Sequence, residues 1–225
     1  MRDWLTRGSF VKAIVGHYGS GKTEIALNAA IFLREQGKRV RLADLDIVNP
    51  FFRSAEQSGM LRAHDIEAIY PQFALSGVDM PVLGPEILRS FEDDGAVSIL
   101  DVGGDDAGAA ALGRYKPQLD RARAELYYVL NPFRPRSNEL TQITSLLALV
   151  EARARLRVTG LIANANLGGY TTPDVVREGR ALVAQVSDQT GIPVVAECGL
   201  ASALEGGPWE QFPIVRYLMP EWMEH

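Results

Sequence analysis

Residues 13–30 read AIVGHYGSGKTEIALNAA, an apolar run that breaks into glycines, a lysine and a threonine before apolar residues resume at helical spacing. Gly16 to Thr23 satisfies the pattern G-x-x-x-x-G-K-[ST], with a predicted strand ending at Val15 and a predicted helix opening near Gly21. Such a loop binds anions. Its glycines let backbone N–H groups turn towards phosphate oxygens, and the helix N-terminus adds partial positive charge. Gly16, His17, Tyr18, Gly19, Ser20, Gly21, Lys22, Thr23 and Glu24 are therefore the candidate nucleotide-binding residues. Lys22 would reach the β- and γ-phosphates, and the Thr23 hydroxyl would bind Mg²⁺. The bland alternative is a glycine turn with a chance lysine, and the flanking strand and helix weigh against it.

Working outward, short β-rich runs alternate with helical patterns. Strands are predicted over Val11–Val15, Arg39–Ala43, Glu67–Tyr70, Val97–Val102, Leu126–Leu130, Val158–Ala163 and Pro193–Ala196. Helices are predicted over Gly21–Gln36, Pro85–Asp93, Ser137–Arg155 and Pro173–Thr190. Near-continuous apolar strands suit a sheet covered on both faces, and the alternation makes it mostly parallel. The expectation is an α/β P-loop NTPase: one domain over residues 1–225, with helices on both faces of a mostly parallel sheet. Ligands in such sheets sit beyond the carboxyl ends of the strands, so the residues just after each strand carry the interest.

Phosphoryl transfer needs a carboxylate for the metal and a group that orients the attacking water. Val97–Asp101 is an apolar strand ending in an aspartate, followed by the glycine turn Gly103-Gly104-Asp105-Asp106. Asp44 and Asp46 lie two apart on an extended segment and would point the same way. Asp44 and Asp101 are the candidate metal carboxylates, with Thr23, while Lys22 and Asp46 are the candidate catalytic residues. Arg53 and the Arg134-Pro135-Arg136 loop are candidate anion or partner contacts, with solvated surface charge as the alternative.

The 225 residues are 47% hydrophobic and 23% charged, which suits one domain with a sizeable core. A net charge of -5 argues against nucleic acid or an anionic membrane as the main partner. Cys198, the one cysteine, excludes an internal disulfide and a CxxC metal knuckle. Its expected role is a small buried hydrophobe. No segment approaches the roughly 20 apolar residues that cross a bilayer. The expectation is a cytoplasmic protein. Trp209, Trp222 and the Met219-to-Met223 tail are expected to pack on the domain as a C-terminal helix, with a docking surface as the alternative.

These residues, taken in order, resemble the MinD/ParA/nitrogenase-iron-protein group of P-loop ATPases, within the SIMIBI class shared with signal-recognition GTPases. Asp44-Leu45-Asp46 resembles that group's switch I, and Asp101-Val102-Gly103-Gly104 its switch II. Asn131-Pro132 resembles its mid-chain segment, and Gly160–Asn164 the strand that delivers an adenine-contacting asparagine. The closing Gly191–Glu197 resembles the strand and loop over the base. The resemblance implies that Asp46 positions a water, Asp101 supports Mg²⁺ and Asn164 reads adenine. It also implies a slow ATPase that acts as a nucleotide-dependent switch for a protein partner, and dimerisation in the ATP state. At the position of the group's signature lysine stands His17. Either His17 substitutes, another cation such as Arg53 serves, or the classical dimer is absent. Guanine readers use N-K-x-D, whereas this chain has Asn164-Ala165-Asn166-Leu167, which favours ATP. Two other functions stay open: an ATP-dependent small-molecule ligase or kinase of the dethiobiotin-synthetase type, and a non-hydrolysing nucleotide-binding scaffold.

Overall fold

The computed structural model describes residues 2–46, 55–70, 72–73, 81–82, 84–104 and 106–218. After a short helix α1 (Asp3–Thr6), the chain forms β1 (Val11–Gly16), α2 (Lys22–Glu35), β2 (Arg39–Asp44), α3 (Ala55–Ala63) and β3 (Glu67–Ile69). Two short strands, β4 (Gln72–Phe73) and β5 (Pro81–Val82), precede a 3₁₀ helix over Pro85–Phe91. The second half runs β6 (Ala96–Asp101), α4 (Asp106–Gly113), α5 (Lys116–Ala122), β7 (Glu125–Leu130), α6 (Leu140–Ala154), β8 (Gly160–Ala163), α7 (Pro173–Thr190), β9 (Val194–Leu200) and β10 (Gln211–Ile214).

Eight strands make one sheet in the order β10-β9-β8-β7-β1-β6-β2-β3, and every pair in it is parallel. β4 and β5 form a separate antiparallel pair. Parallel strands connected through helices leave both sheet faces apolar and covered, as the unbroken burial of β1 requires. One apolar layer gathers Val15, Leu100, Tyr128 and Leu130 with Ile143 and Leu147 of α6. The other gathers Ile14, Ile99 and Val129 with Ile25, Leu27 and Leu33 of α2. β1 lies between β6 and β7, and the chain visits one side of it before crossing to the other. That switch in strand order opens a crevice at the carboxyl end of β1. The phosphate loop stands there.

Each predicted strand occurs, with shifted ends. Val158–Ala163 begins its ladder at Gly160, and Pro193–Ala196 runs on to Leu200. The predicted helix over Ser137–Arg155 starts at Leu140, and Pro85–Asp93 is wound as a 3₁₀ helix. β10 was not predicted, because Pro213 within Gln211–Ile214 argues against a strand interior. It is an edge strand, paired with β9 alone, where a missing N–H does no harm. Nor was α4 predicted, because Ala-rich Asp106–Gly113 has little apolar periodicity. No helix among the described residues is long and apolar enough to cross a membrane.

Phe212 anchors β10. It is buried at 1% exposure and meets Trp4 and Phe32 edge-on, with ring centroids 5.6 and 6.2 Å away. Phe212→Ala is expected to lower unfolding free energy by about 3–5 kcal/mol. Denaturant melts of the two proteins measure it, and a loss below about 1 kcal/mol would mean that this edge is not docked.

Candidate functional site

The loop between β1 and α2 is held open from both sides. Gly21 caps α2 at φ +94°, and a side chain there would run into the Asn164 amide nitrogen. Asn164, at the end of β8, donates from Nδ2 to the Ser20 carbonyl at 2.7 Å. Its Oδ1 is buried and has no partner. On the outer side the Arg134 Nε–H donates to the Gly19 carbonyl at 2.9 Å. Lys22 is buried at 8% exposure, and its ammonium donates to the His17 carbonyl at 3.2 Å. The loop thus presents its lysine inward, where a phosphate would meet it.

Register brings the carboxylates together. Asp44 of β2 stands directly opposite Asp101 of β6, which in turn stands opposite Ile14 of β1. Partners in a parallel ladder share a sheet face, so the two carboxyls project side by side. Both are buried. Asp101 is pushed up to about 7, chiefly by burial and then by the charge of Asp44. Lys22 and a hydrogen bond from Thr23 pull it back, and Asp46 adds to the rise. The Oδ1 of Asp101 is buried without a partner.

The Asp46 N–H donates to Asp44 Oδ1 at 2.9 Å, an Asx turn that sets how the chain leaves β2. The Asp46 carboxylate then lies over the turn after Asp101, where a methyl on Gly103 would come within 3.2 Å of its Cγ. Gly104 is packed as closely. A Cβ there would lie 2.8 Å from Lys22 Nζ and 2.9 Å from Tyr18 Cα. Only a glycine lets the segment after β6 pass this close to the loop.

Among the described residues no group of three His, Cys, Asp or Glu side chains could hold a metal ion. Asp44, Asp101 and Thr23 offer two carboxylates and a hydroxyl instead. That set fits Mg²⁺, which keeps several waters and shares its shell with phosphates. The unpartnered Asp101 oxygen is the observation that favours the fit.

His17 is half-buried, and its imidazole is pushed below its ordinary range by burial, then by the charges of Lys22 and Arg136. Tyr18 is exposed. Glu24 accepts backbone N–H bonds from Tyr217 at 2.7 Å and Leu218 at 3.2 Å, fastening the segment after β10 to the start of α2. Burial pushes its carboxyl up, against those two bonds and Arg216. Cys198 is buried, and burial pushes its thiol up, which fits the packing role expected of it. Arg53, Asn49-Pro50, Asp105 and the Met219–His225 segment lie outside the described residues.

Two cavities adjoin the loop and share no lining residue. The first, about 230 Å³, is bounded by Gly21, Asn131, Asn164, Asn166, Leu200 and Ile214. Its rim is a polar network in which sequence reasoning named Asn131 and Asn164 but neither their bonds nor Arg216. Asn131 Nδ2 donates to the Asn166 carbonyl at 2.9 Å, and Arg216 Nη2 to the Gly168 carbonyl at 2.5 Å. Asn131 carried a signal, as a strand-end polar residue before proline. Arg216 carried none. The second cavity, about 570 Å³, opens between the loop, α4 and α6. Arg134 lines the first cavity and Arg136 the second, so the two arginines straddle the loop.

No protein-family model and no curated protein matches this chain. Among solved structures the fold is shared with that of FtsY. Chloroplast FtsY from Physcomitrella patens aligns at TM-score 0.57 and 20% identity, over 84% of this chain and 58% of that one. FtsY from Thermotoga maritima aligns at 0.56 and 21%, over 88% and 63%. The signal recognition particle receptor FtsY from Elizabethkingia anophelis, in complex with GDP, aligns at 0.53 and 21%, over 85% and 58%. The chain thus spans about three-fifths of the length of these structures.

Asp101 gives the site a pH signature. The unfolded carboxyl titrates near 3.8 and the folded one near 7. Between those values the folded state holds a proton that the unfolded state has lost, so stability falls as pH rises through the window. Asp101→Asn is expected to flatten that fall and to stabilise the nucleotide-free protein above pH 7, by up to about 4 kcal/mol. Thermal melts from pH 4 to 8 without Mg²⁺ measure it, and a variant that melts lower than wild type at pH 8 contradicts the carboxylate repulsion.

Proposed function

We propose that this chain binds Mg·ATP in the loop from Gly16 to Glu24, and that it is a slow ATPase of the MinD/ParA type within the SIMIBI class. Its nucleotide state would switch the segments after Asp46 and Asp101, and through them a protein partner. The observation that carries the reading is the convergence of Lys22, Thr23, Asp44 and Asp101 at the carboxyl end of β1. Lys22 would hold the β- and γ-phosphates. Thr23, Asp44 and Asp101 would hold the hydrated Mg²⁺, whose contribution is to neutralise charge on the phosphate oxygens. Asp46, beside Gly103, would orient the attacking water.

Asn164 would contact the base. Its unpartnered Oδ1 is an acceptor at the edge of the first cavity that the exocyclic amino group of a purine would satisfy, and the preference for adenine rests on the sequence that follows it. FtsY in complex with GDP shares the fold, but the stretch Asn164–Leu167 has no carboxylate for a guanine edge. His17 offers a neutral imidazole where a signature lysine would stand, and a nearby phosphate would draw a proton onto it. We place the protein in the cytoplasm as one domain.

Calorimetric titration with ATPγS, GTPγS and Mg²⁺ tests the site. ATPγS should bind at least about tenfold more tightly than GTPγS, and Lys22→Ala should remove most of the affinity. Unchanged binding in Lys22→Ala would refute the assignment, and a preference for GTPγS would refute the adenine reading. Asp46→Ala should bind ATPγS yet lose about a hundredfold or more in turnover. Light scattering should show a dimer with ATPγS and Mg²⁺ and a monomer with ADP.

A further inference from the structure

The second cavity lies across the phosphate loop from the first, and Gly16, His17 and Tyr18 of that loop form one of its walls. It lies between the phosphate loop, α4 and α6, at about 570 Å³, within the range of small-molecule sites. Three features give it a chemical character. Its α6 wall is Leu146, with Leu149 and Val150 one helical turn on; all three are half-buried, and Val150 also packs against the core that Ile143 and Leu147 enter. Tyr128 of β7 also lines it. That side chain is 1% exposed, and its hydroxyl has no hydrogen-bond partner. A buried hydroxyl without a partner costs about 1–3 kcal/mol, so its retention here points to a ligand that satisfies it.

The third feature is charge. Arg136, an exposed side chain, lines the cavity beside His17 and acts on its charge. Its backbone sits at φ +63°, a conformation disfavoured for a side chain of this size. Arg134 lines the other cavity, on the opposite side of the phosphate loop.

We propose that this cavity binds a small carboxylate with a hydrocarbon body. The aliphatic part would lie against Leu146, Leu149 and Val150. The carboxylate would take a bidentate pair from Arg136 and a hydrogen bond from the Tyr128 hydroxyl. Gly104, whose packing abuts Lys22 Nζ, and His17 also border the cavity, so the carboxylate end would face the phosphate loop. The inference rests on the nucleotide reading, because Gly16, His17 and Tyr18 would border both the phosphates and this cavity. It names a substrate class for the ligase or kinase alternative.

The test is a titration of the full chain with sodium hexanoate and, separately, with hexan-1-ol, followed by amide NMR. Hexanoate is expected to shift Ala107, Tyr128 and Leu149 saturably and to leave Asn164 and Arg216 unmoved. It should bind about tenfold more tightly than the alcohol, and Tyr128→Phe and Arg136→Met should each weaken it about tenfold. Arg136→Met should also remove the preference for the acid. Equal binding of acid and alcohol, shifts confined to other residues, or no saturation would each overturn the proposal. Titrating ATPγS into the same samples separates the two readings. Loss of ATPγS binding with hexanoate binding retained, as expected in Lys22→Ala, belongs to the phosphate loop alone.

Discussion

Two carboxylates forced side by side govern this structure. The ladder that pairs β2 with β6 puts Asp44 opposite Asp101, out of water and beside Lys22. Such a pair opposes folding, because burial and like charge both resist ionisation. The sheet must supply that cost from apolar layers on both its faces. It can, since β1, β6 and β7 bury nearly every side chain and α2 and α6 cover them. The charges at the other end of the strands are managed differently. Lys12 meets Glu125 at 2.5 Å, and buried Arg41 is paired with Glu67 and Asp94. Partners satisfy those groups inside the chain, whereas Asp101 keeps an oxygen without one.

The phosphate loop is held by bonds of its own. Lys22 bonds a carbonyl of its own loop, and Asn164 and Arg134 bond two others. These bonds fix the loop before any anion arrives, so little ordering remains to be done on binding. The bonds reach the loop from β8 and from the turn after β7, which lie in different parts of the sequence. A ligand that moves the loop therefore acts on both at once.

Much of this was legible in the residues. Gly16–Thr23 announced the loop, and strand–helix alternation announced the parallel sheet, because both depend on local chemistry and period. Asp44 and Asp101 were legible as strand-end carboxylates, though their apposition depends on register, which no single strand encodes. β10 was hidden by Pro213, and its identity as an edge strand appears only when β9 offers it a ladder. Arg216 and the Asn131–Asn166 bond were invisible for a related reason. Their partners are backbone carbonyls of distant loops. The division of Arg134 and Arg136 between the two cavities was equally out of reach, since it depends on how the turn after β7 folds.

These constraints bear on how a switch could work here. A ligand can shift a conformational equilibrium only through its differential affinity for the two states. Repulsion between Asp44 and Asp101 raises the energy of the form that lacks a cation, and a hydrated divalent ion would remove that penalty. Gly104 lies against Lys22, and Asp46 lies against Gly103, so the segments after β2 and β6 touch the atoms that would first feel such an ion. On the switch reading we propose, that cost would be released where these segments meet the ion. A sheet end neutralised by internal partners, as at Arg41, would be more stable and would have nothing to release.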